Sequence, residues 1–173
     1  MADYTVADAL GALKTILLTA SAAGQPALAA GYVMPDEFAA IPDTLLLPSI
    51  VVSELYNSPA DWQRKADGLA IHTWRAEALL FAAQGPLTTL NADAAVAMLK
   101  ARNWAKAFSD RLWLNQSLNG SALIIGEPTG GMRRLFRYGI GHVYLTDAGE
   151  FWGLRLELVI QQKHTQPMSA QES

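Results

Sequence analysis

The sequence predicts an α+β fold, a mainly antiparallel sheet with helices packed on one face, in the order α-β-β-α-β-β-β. Three observations carry this. In residues 145–162, LTDAGEFWGLRLELVIQQ, Trp152, Leu154, Leu156, Leu158 and Ile160 share one parity, while Phe151, Gly153, Arg155, Glu157, Val159 and Gln161 share the other. That is the period of a strand with one buried and one wetter face. Residues 5–23 and 91–118 instead place apolar side chains at spacings of three and four, the helical period. Asp147-Ala148-Gly149 then supplies turn chemistry that folds the last strand back on residues 133–145, so neighbouring strands run antiparallel.

Taken in chain order, the first helix rests on Val6, Leu10, Leu13 and Leu17 with Ile16 beside them. Asp3 or Thr5 can cap it and Gly24 can end it. Residues 25–43 are mixed: Met34-Pro35-Asp36 and Ile41-Pro42-Asp43 are turn-like, and residues 36–40 suit a short helical turn. Residues 45–53, LLLPSIVVS, are β-rich, but Pro48 removes a ladder donor, so this strand is expected at an edge or with a bulge. The polar residues 54–68 are expected to form a long arm or loop between the first two strands, and about 15 residues exceed an ordinary connection. A plain connection is the competing reading. Tyr56 and Trp62 are candidate interface residues within it, because aromatic side chains are enriched in interface centres.

Residues 69–84, LAIHTWRAEALLFAAQ, are Ala-rich and could be helical. Gly68 and Gly85-Pro86 bound them, however, and Ile71 to Trp74 open with strand formers, which favours a long strand. His72, Trp74, Ala76, Ala78 and Leu80 would share one face; Ile71, Thr73, Arg75, Glu77, Leu79 and Phe81 would share the other, more solvated near its start. Residues 91–118 contain neither Gly nor Pro. Asn91 is a plausible N-cap, Ala94, Ala97, Met98, Ala101, Ala105, Phe108 and Leu112 form a stripe, and Asn119-Gly120 is a stop. One long helix, or two broken near Asn103, would both fit. A short strand at 121–126, a turn-rich loop at 127–132 and a strand at 133–145 follow. Residues 163–173 are expected to be a flexible tail.

The 173 residues suit a single domain, 1–173. Hydrophobic residues make up 51% and charged residues 17%, against about 25% charged in typical soluble domains. An Ala-rich core, apolar surface covered by other chains, or both would accommodate that excess. Thirteen basic and 16 acidic residues give a net charge of −3. A dedicated nucleic-acid binder normally carries a basic face, so this balance argues against one. It is compatible with a lumen through which DNA passes ungripped. With no cysteine, disulfides, thiolate chemistry and Cys-ligated metals are excluded. No apolar run reaches about 18 residues, so no membrane span is expected. Residues 1–6 lack the basic start of a signal peptide, which suggests an intracellular product.

The search for chemistry yields no catalytic residue, metal ligand set or cofactor site, so the chain is not expected to be an enzyme. His72, His142 and His164 are scattered; His72 and His142 could meet across a sheet, but two imidazoles without a third ligand are a poor metal site. Residues 126–131 lack the Gly-Lys-Ser/Thr ending of a phosphate loop, and Gly139-Ile-Gly141 lacks a third glycine. The latter reads better as a strand where neighbours approach closely or the sheet bends. No serine lies in a Gly-x-Ser-x-Gly elbow. Glu77 and Glu157 suggest ion pairs with Arg75 and Arg155. Arg133, Arg134 and Arg137 form the densest positive cluster. They are candidate interface residues for an acidic partner or passing phosphates, with a solvated hairpin end as the competing reading.

This succession of elements resembles the tail terminator (neck) proteins of long-tailed bacteriophages. The resemblance is carried by the amphipathic first helix, LLLPSIVVS after an approach of prolines, the polar arm at 54–68, IHTWRAEALLFAAQGPL, LWLNQSLNGSALIIG and the closing RYGIGHVYLTDAGEFWGLRLELVI. It spans roughly residues 5–162. It implies a homohexameric ring, assembled in the host cytoplasm and residing in the virion neck. Such a ring caps the finished tail tube, stops its polymerisation and joins it to the head connector. The implied partners are the tail tube protein and a head-completion or connector protein, with DNA passing through the lumen and no enzymatic step. The five interface residues rest on this sequence alone. A head–tail adaptor or minor tail subunit is an alternative. From another class, so is a small enzyme or ligand-binding domain using the sheet around His142 and Tyr144.

Overall fold

A computed structural model describes residues 4–55, 60–64, 68–85, 92–145 and 149–165. Helix α1 (Val6–Leu18) opens on a capping box: the Asp8 amide donates to Thr5 Oγ1 at 3.1 Å, and the Thr5 amide donates to the Asp8 carboxylate at 2.7 Å. These bonds from Thr5 hold the Asp8 carboxyl below its usual range. After it come β1 (Ala30–Met34), a single 3-10 turn (Phe38–Ala40), β2 (Ser49–Glu54), β3 (Asp61–Arg64) and β4 (Leu69–Gln84). Helix α2 (Ala92–Leu114) leads into β5 (Leu123–Ile124), β6 (Glu127–Thr129), β7 (Met132–Arg134), β8 (Phe136–Leu145) and β9 (Gly149–Thr165). The class is α+β, with a mixed, mostly antiparallel sheet and two helices.

The sheet runs β1-β2-β4-β9, with β8 and β5 sharing the far side of β9 and β3 continuing the line of β2 along β4. Strands β4 and β9 are its spine, paired from Leu69↔Thr165 to Gln84↔Phe151. Their even-numbered residues face the helices. Trp74, Ala76, Ala78, Leu80, Leu154, Leu156, Leu158 and Ile160 are buried against Leu13 and Leu17 of α1 and Trp104, Phe108 and Leu112 of α2. Gln162, 1% exposed, locks one corner: it accepts from Trp74 Nε1 at 3.0 Å and donates to the Thr5 carbonyl at 2.9 Å. Burial of so polar a side chain is tolerable because it is hydrogen-bonded. A second, smaller core on the opposite face joins Leu45, Val51, Phe81, Val143 and Phe151.

Several expectations need correction. Four strands, rather than two, lie between the helices. Strand β1 is a short segment, parallel to β2, and neither alternation nor a hairpin turn announced it. Strand β2 is flanked by β1 and β4, so it is not an edge. It starts just after Pro48, so the missing donor falls outside the ladder, and the Pro48 carbonyl accepts from the Ala29 amide at 2.7 Å. The expected arm at 54–68 contains β3, folded back on β4 from Asp61↔Thr73 to Arg64↔Ala70. The expected loop at 127–132 contributes to the β6–β7 hairpin, whose Gly130 and Gly131 both take positive φ, as a tight hairpin turn requires. Lys163, His164 and Thr165 of the expected tail extend β9. Within residues 91–118, α2 runs unbroken through Asn103 but ends at Leu114, short of the expected stop; residues 115–117 are turn and Leu118–Gly120 form a 3-10 turn. The Asn91 cap and residues 166–173 lie outside the described residues.

The sheet bends where Ala82 bulges between the Phe81↔Gly153 and Ala83↔Trp152 pairs. A Cβ on Gly153 would run into the Leu80 carbonyl, whereas one on Gly141 would meet nothing within 4 Å. Gly153→Ala should therefore destabilise by on the order of 3 kcal/mol. Gly141→Ala should stay within about 0.5 kcal/mol of the parent. Urea unfolding of both variants checks this; equal midpoints would contradict the close packing at Gly153.

Candidate functional site

The face of the sheet away from the helices carries charge. Glu77 of β4 stands directly opposite Glu157 of β9, an arrangement that repels unless neutralised. Arg155 neutralises it, reaching Glu77 at 2.6 Å and Glu157 at 3.2 Å. Arg155 thus pairs as expected, but Arg75 does not join these acids; it crosses to Glu127 at 2.8 Å.

Glu127 gathers the arginine cluster. One carboxylate oxygen takes Arg75; the other takes Arg134 at 2.7 Å and Arg137 at 2.8 Å. The Arg134 hydrogen bond, opposed by partial burial and reinforced by Arg137 and Arg75, holds the Glu127 carboxyl down at about 2. Two of the three candidate arginines are therefore tethered, and the exposed Arg133 side chain forms no ion pair among the described residues. A signal for this hub was present in the sequence: Glu127 is the only acidic residue between Asp110 and Asp147.

Arg133, Arg134 and Arg137 line a shallow cleft of about 550 Å³ with Trp113, Leu135, Phe136 and Tyr138. Trp113 is 52% exposed and Tyr138 58%. Beside the cleft runs the outer edge of β8, ten residues long, which pairs with nothing but β9 among the described residues. Gly139 and Gly141 lie on it with open space where a Cβ would be. Among the described residues no neighbour approaches these glycines closely; the close approach falls at Gly153, against the Leu80 carbonyl. The resulting surface combines exposed aromatics, guanidinium groups and unused backbone hydrogen-bonding groups. It can bind an extended segment or an acidic surface.

The remaining candidates are distributed elsewhere. Trp62 lies on β3, 56% exposed, stacked on His72 at a centroid distance of 4.2 Å and tilted against His164 at 5.1 Å. Tyr56 lies outside the described residues. His72 meets His164, not His142, because register puts His72 opposite Gln162 and His142 opposite Trp152, far apart along β9. Burial, then the charge of His164, lowers the His72 pKa, with Glu54 opposing. His142 Nδ1 pairs with Glu150, which also accepts from the Tyr144 hydroxyl at 3.3 Å and pushes the phenol pKa up. Among the described residues no group of three His, Asp or Glu side chains could hold a metal ion, and no helix is long and apolar enough to cross a membrane.

Compared with known proteins, the chain matches no protein-family model, and no curated protein matches its sequence.

Because the carboxyl of Glu127 is held below its ordinary value of 4.5, its contribution to stability is fully present above pH 4.5 and fades as pH falls through about 2. Glu127→Gln should lower the urea midpoint at pH 7 and narrow the gap to the parent by pH 2. Half-exposed arginines also predict a smaller difference in high salt. An unchanged midpoint at pH 7 would remove the hub from any account of stability.

Proposed function

We propose that this protein is a phage tail terminator, a subunit of a ring that caps the tail tube and joins it to the head connector. The observation that carries the reading is the long edge of β8, unpaired among the described residues, beside the Trp113 and arginine cleft. A monomer seldom leaves such an edge open, because it invites pairing with another chain. Ring subunits need it, since closed cyclic assemblies are built from head-to-tail contacts. The apolar excess of the sequence, with Met132, Trp113, Tyr138 and Tyr144 all more than half exposed, fits surface awaiting a partner.

On this reading the protein acts by shape and contact, and catalyses no reaction. The last tail-tube ring binds one side of the collar, further tube subunits are excluded, and the opposite side receives the head connector. Net charge of −3 lets DNA move through a lumen without the counterion-releasing grip that basic proteins exert. The six-copy count comes from the resemblance.

The test is direct imaging. Purified, tagged protein added to tails that lack a collar should appear in electron micrographs as one ring at the head-proximal end and should block further tube growth. Decoration along the tube or at the distal tip would point to a minor tail subunit, and attachment to heads alone to an adaptor. Failure to bind any virion part would reject the phage reading altogether.

A further inference from the structure

Charge is segregated along this chain, and the fold turns that segregation into two opposed edges. Residues 15–63 contain five acidic residues and no lysine or arginine, whereas residues 99–137 contain seven basic residues and two acidic ones. The first stretch builds β1, β2 and the loop between them and enters β3, which ends on Arg64; the second builds most of α2, strands β5 to β7 and the start of β8. In the strand order β1-β2-β4-β9-β8 these are the two ends of the sheet.

Each end presents matching equipment. The outer side of β1 has no strand partner among the described residues, and neither has that of β8. In the loop that leaves β1, Asp36 and Asp43 are exposed, with Phe38 and Leu46 exposed between and after them. Glu37 in that loop is already bound to Lys14 at 2.8 Å. Beside β8, exposed Arg133 stands next to the apolar cleft walls Trp113 and Tyr138.

Deepening the ring reading, on which it rests, we infer that the β8 edge and arginine cleft of one copy receive the β1 edge and acidic loop of the next copy. Because the Val33 amide and carbonyl of β1 are already taken by Glu37, side chains carry the contact: Asp36 and Asp43 face Arg133 and its neighbours, and Phe38 and Leu46 enter the aromatic cleft beside the β8 edge. A two-fold contact of β8 with β8 would run antiparallel and set the arginine end of one strand against the His142 and Tyr144 end of the other, so only the head-to-tail contact brings the acidic loop onto the arginines. Two different surfaces on opposite ends of one subunit are what a closing ring requires. DNA is the weaker occupant of the cleft, because Glu127 already holds Arg134 and Arg137.

The experiment uses charge reversal and mixing. Variant one carries Arg133→Glu and Arg134→Glu; variant two carries Asp36→Lys and Asp43→Lys. Circular dichroism confirms folding, and Arg133→Glu alone replaces variant one if the double change does not fold. In sedimentation velocity at low salt the parent should associate, and added salt should weaken it. Each variant alone should associate at least about tenfold more weakly. An equimolar mixture should recover assembly, because every reversed edge then meets a reversed complement in an alternating ring. A parent that stays monomeric at all concentrations, a variant that assembles like the parent, or a folded mixture that stays apart would each overturn the inference. So would tight, salt-sensitive binding of a DNA oligonucleotide abolished by Arg133→Glu while assembly persists. Mixed rings that fail to cap tails would leave this interface standing and sink the phage reading. Normal capping by either variant alone would do the reverse.

Discussion

Strands β4 and β9 pair over most of their length, from Leu69↔Thr165 to Gln84↔Phe151, and the main sheet is built on that ladder, with β1 joined through β2 and β6 and β7 forming a hairpin of their own. Strands β2 and β3 take one side of it; β8 and β5 take the other. The pairing joins residues far apart in sequence, so its loop-closure cost is met late and must be repaid by burial. The repayment lies on the helix-facing side, where the even-numbered apolar residues of both strands meet α1 and α2. Near one end, the Trp74–Gln162 hydrogen bond fixes the register with a polar contact that a one-residue slip would break.

The two faces solve different problems. On the helix side, apolar area leaves water. On the other side, part of the surface is covered by the chain between β1 and β2, which supplies Leu45 to the small core with Phe81 and Phe151. The rest is charged. There Arg155 separates Glu77 from Glu157, and Glu127 draws three guanidinium groups to one carboxylate. These pairs are partly exposed, so each adds little stability alone. Their larger effect is to fix the direction of the arginines beside the β8 edge and to keep that edge basic without leaving every charge free.

A sheet with two unfinished edges of opposite charge is an incomplete object. In the collar reading proposed above, the subunit's surplus apolar surface, its open β8 edge and its charge polarity would all be satisfied by one contact repeated around an axis. At the sheet margin, His142 Nδ1 and the Tyr144 hydroxyl both meet the Glu150 carboxylate.

Local pattern was enough for the elements whose burial is one-sided. Residues 69–84 alternate and form β4; residues 149–162 alternate and lie in β9; the stripe from Ala94 to Leu112 lies in α2. Periodicity records which face meets the core, and that is a property of neighbouring residues. It does not record who the neighbour is. Strand β1, parallel and short, has no local turn to announce it. Strand β3 hides in a polar run because its anchor is Trp62 on His72, and the reach of Arg75 to Glu127 follows from strand placement across the sheet. The sequence by itself determined the helices, the two long strands and the basic character of residues 133–137. Tertiary structure alone decided that acid and base end on opposite edges, since only long-range pairing converts order along the chain into order across a sheet.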